Sequence, residues 1–126
     1  MIPAESETPG SVAKASADFA RPNLEFIVGS VYELPYADGT FDIVHTHQTL
    51  HHLADPVAAL REMRRVAKPG GLVAAREVDY AGTIWYPELP GLDSWLNLYE
   101  RVHRSNGGDP DAGRRVKAWA QAAGFE

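Results

Sequence analysis

The sequence predicts an α/β fold, because short apolar runs that suit strands alternate with stretches that suit helices. The strand-like runs lie at Leu24–Val28, 41–45 and 72–78, and turn residues bound each of them. Between the second and third runs, residues 56–67 repeat apolar side chains at helical spacing. A helix between two strands indicates a parallel crossover. We therefore predict a mainly parallel three-stranded sheet flanked by helices.

The helices are predicted from their start and stop signals. A first helix is expected at 8–20, and Asp55, which precedes a proline, can cap the helix at 56–67. A third helix is predicted at Leu92–Ser105 because its apolar residues, Trp95 among them, form one buried stripe. A fourth helix is expected after Asp109.

The composition is that of one ordinary globular domain. The chain has 126 residues, of which 44% are hydrophobic and 23% are charged. This length permits one domain with a modest core. Pro, Ser and Glu are frequent at the start of the chain, so we expect residues 1–7 to form a flexible N-terminus and residues 8–126 to form the domain.

Charge and cysteine content exclude several classes of function. The net charge of -5 argues against nucleic-acid binding, which requires clustered cations. The chain has no cysteine, which fits a reducing compartment. No apolar run has the length of a membrane helix, and the start of the chain lacks the features of a signal peptide. We expect a cytoplasmic protein with no nucleic-acid or membrane partner.

Polar side chains cluster where the second predicted strand ends. They are His45, His47, Gln48, His51 and His52. Ligands of open α/β sheets bind outside the carboxyl ends of the strands, so this loop is the expected place for function. A core histidine bonded to backbone explains His45 better than a functional role does. For His47 and Gln48 the functional and structural interpretations are equally balanced.

Four ordered motifs resemble one known family. They are LPYADGTFDIV at 34–44, LHHL at 50–53, PV at 56–57 and KPGGL at 68–72. Together they resemble the second half of the core of class I S-adenosylmethionine-dependent methyltransferases, and most closely the branch of the ubiquinone and menaquinone biosynthesis methyltransferases. The resemblance covers about residues 8–125. It implies a Rossmann-like core, S-adenosylmethionine as cofactor and a small-molecule methyl acceptor.

The parts of this family that hold the cofactor most directly have no counterpart in the sequence. No Gly-x-Gly pattern lies in the first forty residues, and no acidic residue ends a strand before the first predicted helix. The resemblance therefore implies a truncated domain, a fragment or abbreviated form that is weakly active or inactive alone. The alternative is a non-catalytic binding or scaffold module. A glycine-rich segment encoded upstream in frame would support a fragment.

The resemblance also implies which residues contact the cofactor. Ser30 stands where relatives place an acidic residue against the adenine amino group, and the N–H of Val31 could bond the adenine ring. His47 and Gln48 match positions that flank the methionine part of the cofactor. No catalytic residue is assigned, because many members of the family act mainly by aligning the methyl group with its acceptor.

The sequence also contains aromatic residues and histidines that suggest two further kinds of site. Tyr80, Trp85 and Tyr86 resemble the substrate-side lid of the family and are assigned to acceptor binding. The histidines after the second strand invite a metal hypothesis, but a structural zinc site requires four ligands and a defined second shell. With no cysteine in the chain, we expect no metal site.

The missing parts also determine the predicted order of the strands. In the family the order is three, two, one, four, five. Leu24–Val28 resembles the third strand, so the absence of the first and second strands would leave it without a neighbour. We therefore predict the order 24–28, 41–45, 72–78, all parallel if the connector crosses over, with Leu24–Val28 moved into the empty place beside 41–45. The alternatives are that two chains pair their open edges as a homodimer, or that the chain is only marginally stable alone.

Overall fold

The computed structural model describes residues 2–6 and 9–126 and confirms the predicted α/β class. Its elements are β1 (Ile2–Ser6), α1 (Pro9–Asp18), β2 (Leu24–Val28), β3 (Phe41–His47), α2 (Pro56–Val66), β4 (Ala67–Arg76), α3 (Leu92–Ser105) and α4 (Val116–Ala122). Short 3₁₀ turns lie at Leu50–His52, Tyr80–Gly82 and Ala112–Arg114. None of the described helices combines the length and the apolar content that crossing a bilayer requires.

The strands form two separate parallel pairs. β1 pairs with β2 from Ile2 opposite Leu24 onward, and α1 connects the two strands. β3 pairs with β4, with Val44 opposite Val73, and α2 connects these. Within residues 2–6 and 9–126, no backbone ladder joins one pair to the other. β1 and β3 therefore each have a strand neighbour on one side.

The predicted sheet order is wrong, and so is the three-stranded sheet. β2 has no ladder to β3, because residues 2–6, which we expected to be flexible, form a strand and supply β2 with its partner. The connector 29–40 consequently does not bring β2 beside β3. Residues 1 and 7 of the expected flexible N-terminus, and residue 8 of the predicted first helix, lie outside the described residues.

The start of α2 agrees with the prediction, whereas the junction between α2 and β4 differs from it. Asp55 caps α2, since its Oδ1 accepts a hydrogen bond from the Ala58 N–H at 2.9 Å. β4 begins at residue 67, five residues before the predicted strand, and a register shift opposite residues 41–43 accommodates the extra length. Gly71 is needed there, because a Cβ would lie 2.9 Å from the carbonyl oxygen of Asp42.

The buried core lies around α2, which packs against the β3–β4 pair and α4. Its buried cluster consists of Leu50, Ala59, Leu60, Met63 and Ala123. A fully buried Leu or Met contributes roughly 1.5–3 kcal/mol relative to an exposed one. Because Leu50 belongs to this cluster, the turn after β3 is anchored in the buried core.

The apolar stripe of α3 is less buried than the sequence predicts. Trp95 is 49% exposed and Val102 is 51% exposed, whereas His103 is buried. Helical periodicity predicted which residues share a face, but it did not predict how little of the molecule covers that face.

Candidate functional site

Strand β3 ends in a sharp change of backbone direction. His47 is its last paired residue, opposite Arg76, and the next residue, Gln48, has φ 51°. A positive φ is uncommon for a residue other than glycine, and it costs energy that the surrounding structure must supply. Here the Gln48 N–H donates to the carbonyl oxygen of Arg76 at 2.8 Å. The strained position thus lies at the carboxyl end of the sheet, where α/β proteins bind ligands.

The carboxylate of Glu77, directly after β4, organises the turn that follows Gln48. Its Oε1 accepts hydrogen bonds from the N–H groups of Thr49 and Leu50, at 3.0 and 2.8 Å. Its Oε2 lies 2.7 Å from Nδ1 of His51, and the side chain of Glu77 is completely buried. A carboxylate is buried at acceptable cost only when several donors satisfy it, as they do here.

His103 of α3 completes a group of three histidines, which we name the histidine cluster: His51, His52 and His103. Nε2 of His103 lies 2.7 Å from the carbonyl oxygen of His51, and these two rings are nearly parallel, with centroids 5.2 Å apart. The ring of His52 lies 3.8 Å from that of His51 and 5.0 Å from that of His103. One ring nitrogen from each histidine lies within 4.8 Å of the others.

His52 differs from its two neighbours because it is exposed. Partial burial of its ring lowers its pKa below the usual value for histidine, and the nearby His51 and His103 lower it further. This shift favours the neutral form of His52, whose ring nitrogen can accept a hydrogen bond or bind a metal ion.

Ser30 and Val31 lie in the turn that follows β2. The Ser30 carbonyl accepts a hydrogen bond from the Glu33 N–H at 3.0 Å, and Val31 packs against the buried cluster that contains Leu50. The hydroxyl of Tyr32 accepts from the Asp55 N–H at 3.3 Å. The turn after β2 is therefore in contact with the segment that follows β3, through Tyr32 and Asp55 and through Val31 and the buried cluster.

The connector after β2 is held against α2 by two charged side chains of that helix, Glu62 and Arg65. Arg65 donates to the carbonyl oxygens of Tyr36 and Leu34 at 2.8 and 3.1 Å. Glu62 accepts from the Leu34 N–H at 2.8 Å and pairs with Arg65 at 2.6 Å. The Arg65 guanidinium holds the pKa of Glu62 below its usual value. These contacts fix the path of the chain from Ser30 to β3.

Of the three predicted acceptor-binding residues, two join an aromatic group on α3 and one does not. The ring of Tyr80 lies 4.6 Å from that of Tyr99, and the ring of Trp85 lies 6.1 Å from that of Trp95. Hydrogen bonding with Tyr80, together with burial, raises the pKa of Tyr99 to about 12. Tyr86 is fully exposed. The aromatic group continues into the histidine cluster, because the rings of Tyr99 and His103 lie 5.6 Å apart.

Three residues of this region differ from what the sequence predicts. His45 is exposed on β3 and is not the core histidine that we expected. Glu77 and His103 were not among the predicted site residues. A signal for His103 was present, since it follows Tyr99 by four residues on the predicted helix and so shares its face. Glu77 lies beside the turn after β3 only because β3 and β4 are neighbours.

Comparison with known proteins identifies related sequences. The family model described as Methyltransferase domain matches residues 7–75, more than half of the chain. The chain is 48% identical over 98 residues to an uncharacterized methyltransferase of Schizosaccharomyces pombe, a match that covers 78% of this chain and 35% of the relative. It is 37% identical over 79 residues to the demethylmenaquinone methyltransferase of Paenarthrobacter aurescens, covering 63% of this chain and 28% of that protein.

A solved structure supports the same relationship at the level of fold. An S-adenosylmethionine-dependent methyltransferase from Aquifex aeolicus superposes with a TM-score of 0.66 at 20% identity. The superposition covers 97% of this chain and 57% of that one, so both strand pairs take part in it. The chain spans 35% and 28% of the two curated relatives named above, about a third of their length.

Proposed function

We propose a function on the premise that this chain belongs to the methyltransferase domain family, whose model matches residues 7–75. The chain provides one part of a site for S-adenosylmethionine, within a protein that transfers the cofactor's methyl group to a small-molecule acceptor. The observation that carries this proposal is the strained backbone of Gln48 at the end of β3. Strain of this kind is concentrated at ligand sites.

Four residues are proposed to contact the cofactor. The hydroxyl of Ser30 and the N–H of Val31 suit the adenine ring, which requires a few polar partners beside an apolar surface. Val31 is half-buried against the core and supplies such a surface. His47 and Gln48 are exposed at the end of β3 and suit the methionine part. S-adenosylmethionine would supply an electrophilic methyl group on sulfur.

The acceptor is proposed to lie against the aromatic residues Tyr80, Trp85 and Tyr86. Tyr80 and Trp85 are half-buried and already in ring contact with α3, so they offer a firm apolar wall. Tyr86 is exposed and available for an acceptor. The role of these residues is to orient the acceptor and exclude water, and no dedicated base is required.

We propose that the place between β1 and β3 takes a further parallel strand that carries the glycine-rich loop. Each of these strands has a ladder on one side within the described residues, and an unpaired edge readily accepts another strand. On this proposal the chain is a fragment or abbreviated form of a larger methyltransferase domain. A second copy of the chain is the other candidate for the open edge. Light scattering distinguishes the two, because a homodimer has twice the mass of the chain.

The partners and the location of the protein are part of the same proposal. A small-molecule acceptor, no nucleic-acid or membrane partner and a cytoplasmic location fit a chain with a net charge of -5 and no cysteine. A non-catalytic module remains the alternative function, and it differs in needing no cofactor.

Backbone amide NMR tests where the cofactor binds. Titration of the chain with S-adenosylmethionine is expected to shift the amide signals of Ser30, Val31, His47 and Gln48. The Gln48→Ala variant should show smaller shifts, whereas His45→Ala, an exposed change two residues before the end of β3, should behave like the unmodified chain. Shifts confined to α4, or no shifts at about 10 mM cofactor, would favour the non-catalytic module.

A further inference from the structure

We propose that His51, His52 and His103 bind a divalent transition-metal ion such as Zn²⁺, with Glu77 orienting His51. The observation behind this proposal is the convergence of three imidazole nitrogens within 4.8 Å of one another, from two elements that are distant in sequence. Imidazole is a preferred ligand of zinc, copper, iron and nickel. The inference does not depend on methyl transfer.

The hydrogen bonds around the cluster leave suitable nitrogens free to bind a metal ion. The Glu77 carboxylate accepts from Nδ1–H of His51, which leaves the lone pair on Nε2. The carbonyl oxygen of His51 can only accept, so Nε2 of His103 carries the proton and the lone pair of His103 is on Nδ1. Histidines that bind metals almost always donate their other N–H to a carboxylate or a backbone carbonyl. Both buried histidines show this arrangement.

The cluster combines two fixed ligands with one adjustable ligand. His51 and His103 are buried and held by these hydrogen bonds, whereas His52 is exposed. Zn–N bonds of about 2.0–2.1 Å place tetrahedral ligands roughly 3.4 Å apart, so the three nitrogens, which now lie within 4.8 Å of one another, would have to draw closer together when the ion binds. Three histidines leave a fourth position for water, which is the arrangement of zinc sites that perform catalysis rather than purely structural ones.

The structure also explains why the sequence led us to expect no metal. That expectation rested on the lack of cysteine for a structural site of four ligands, whereas the structure brings His103 beside His51 and His52 and places Glu77 against His51. It also identifies a competing place for adventitious metal, because His45 and His47 are exposed on the same strand with ring centroids 6.4 Å apart.

Metal titration of the full chain tests the proposal. One equivalent of Co²⁺ should give the visible absorption of a tetrahedral cobalt site. Zn²⁺ should displace the Co²⁺, abolish this absorption and raise the melting temperature of the protein. His52→Ala should weaken Co²⁺ binding by roughly 10-fold or more, with circular dichroism confirming that the variant is folded. His45→Ala is the matched control and should leave Co²⁺ binding unchanged.

A second readout does not depend on any variant folding. Zn²⁺ should shift the imidazole ¹⁵N signals of His51, His52 and His103 together and leave those of His45 and His47 in place. Loss of binding in His45→Ala but not in His52→Ala would overturn the proposal, as would shifts confined to His45 and His47. Absence of binding at about 1 mM Zn²⁺ would show that the three rings are packed together without a metal role.

Discussion

The carboxylate of Glu77 lies 2.7 Å from Nδ1 of His51, and both side chains are buried, with exposed fractions of 0% and 4%. The same carboxylate accepts the N–H groups of Thr49 and Leu50. One buried group therefore joins the end of β4 to the turn that follows β3. This turn lies between the proposed cofactor residues and the histidine cluster, so its geometry affects both.

Replacing Glu77 with alanine should destabilise the protein strongly. The N–H groups of Thr49, Leu50 and His51 would lose their acceptor in a part-buried turn, and each buried donor left unsatisfied costs about 1–3 kcal/mol. Urea unfolding followed by circular dichroism measures this loss. The exposed Glu88 provides the control, and Glu88→Ala should change the unfolding free energy by less than about 0.5 kcal/mol. A loss below about 1 kcal/mol in Glu77→Ala would mean that the carboxylate does not hold the turn.

A methyl group at Gly108 should disrupt the contact between the two buried histidines. A Cβ there would lie 2.5 Å from the carbonyl oxygen of His51 and 2.6 Å from Nε2 of His103. We expect Gly108→Ala to lower the unfolding free energy by about 1–3 kcal/mol. Gly82→Ala is the control, because the atom nearest to its Cβ is 3.8 Å away. Equal thermal stabilities for the two variants would contradict the observed packing.

The lowered pKa of His52 gives the protein a pH-dependent stability of known sign. Protonating this ring costs more in the folded chain, where burial and His51 and His103 oppose the charge, than in the unfolded chain. The contribution of neutral His52 to the free energy of unfolding is therefore fully present above the unfolded pKa of about 6.5. It is lost as the pH falls through the lower pKa of the folded chain. The urea concentration at the unfolding midpoint should decrease when the pH is lowered from about 7.5 to about 5.5. The decrease should be smaller in the His52→Asn variant. Identical pH profiles for the two proteins would contradict the assignment to His52.

Local signals in the sequence predicted local structure well. α3 occupies the predicted residues Leu92–Ser105, and Asp55 caps α2 as expected. Both results depend on side chains within a few residues of one another, namely an apolar stripe with a stop signal and a capping carboxylate before a proline. These features need no knowledge of the rest of the fold.

The predicted order of the strands was wrong because strand pairing depends on residues that are distant in sequence. Residues 2–6 were judged by composition, and nothing local shows that β1 would meet β2 across α1. Because that strand was not predicted, β2 lacked a partner, and we wrongly placed it beside β3. In the structure β1 is the partner of β2, and within the described residues β1 and β3 each keep one unpaired edge.

The site was predictable where it follows strand order along the chain and unpredictable where it depends on packing. The end of β3 at His47 and the loop after it were identified from the turn and strand pattern. Glu77 and His103 were missed because a carboxylate after one strand and a histidine on a later helix meet only in three dimensions. No spacing in the sequence brings them together.

Calorimetric titration of the 126-residue chain with S-adenosylmethionine tests most directly whether the chain contains only part of the cofactor site. The glycine-rich loop of the family has no counterpart in the sequence. Glu5 does lie near the carboxyl end of β1, so the expectation that no acidic residue ends a strand before the first helix is wrong. Each hydrogen bond lost with the loop costs roughly 1 kcal/mol or more. We expect a dissociation constant of about 1 mM or weaker. A low-micromolar constant for the monomeric chain would contradict this claim, because the described turns after β2 and β3 would then suffice to bind the cofactor.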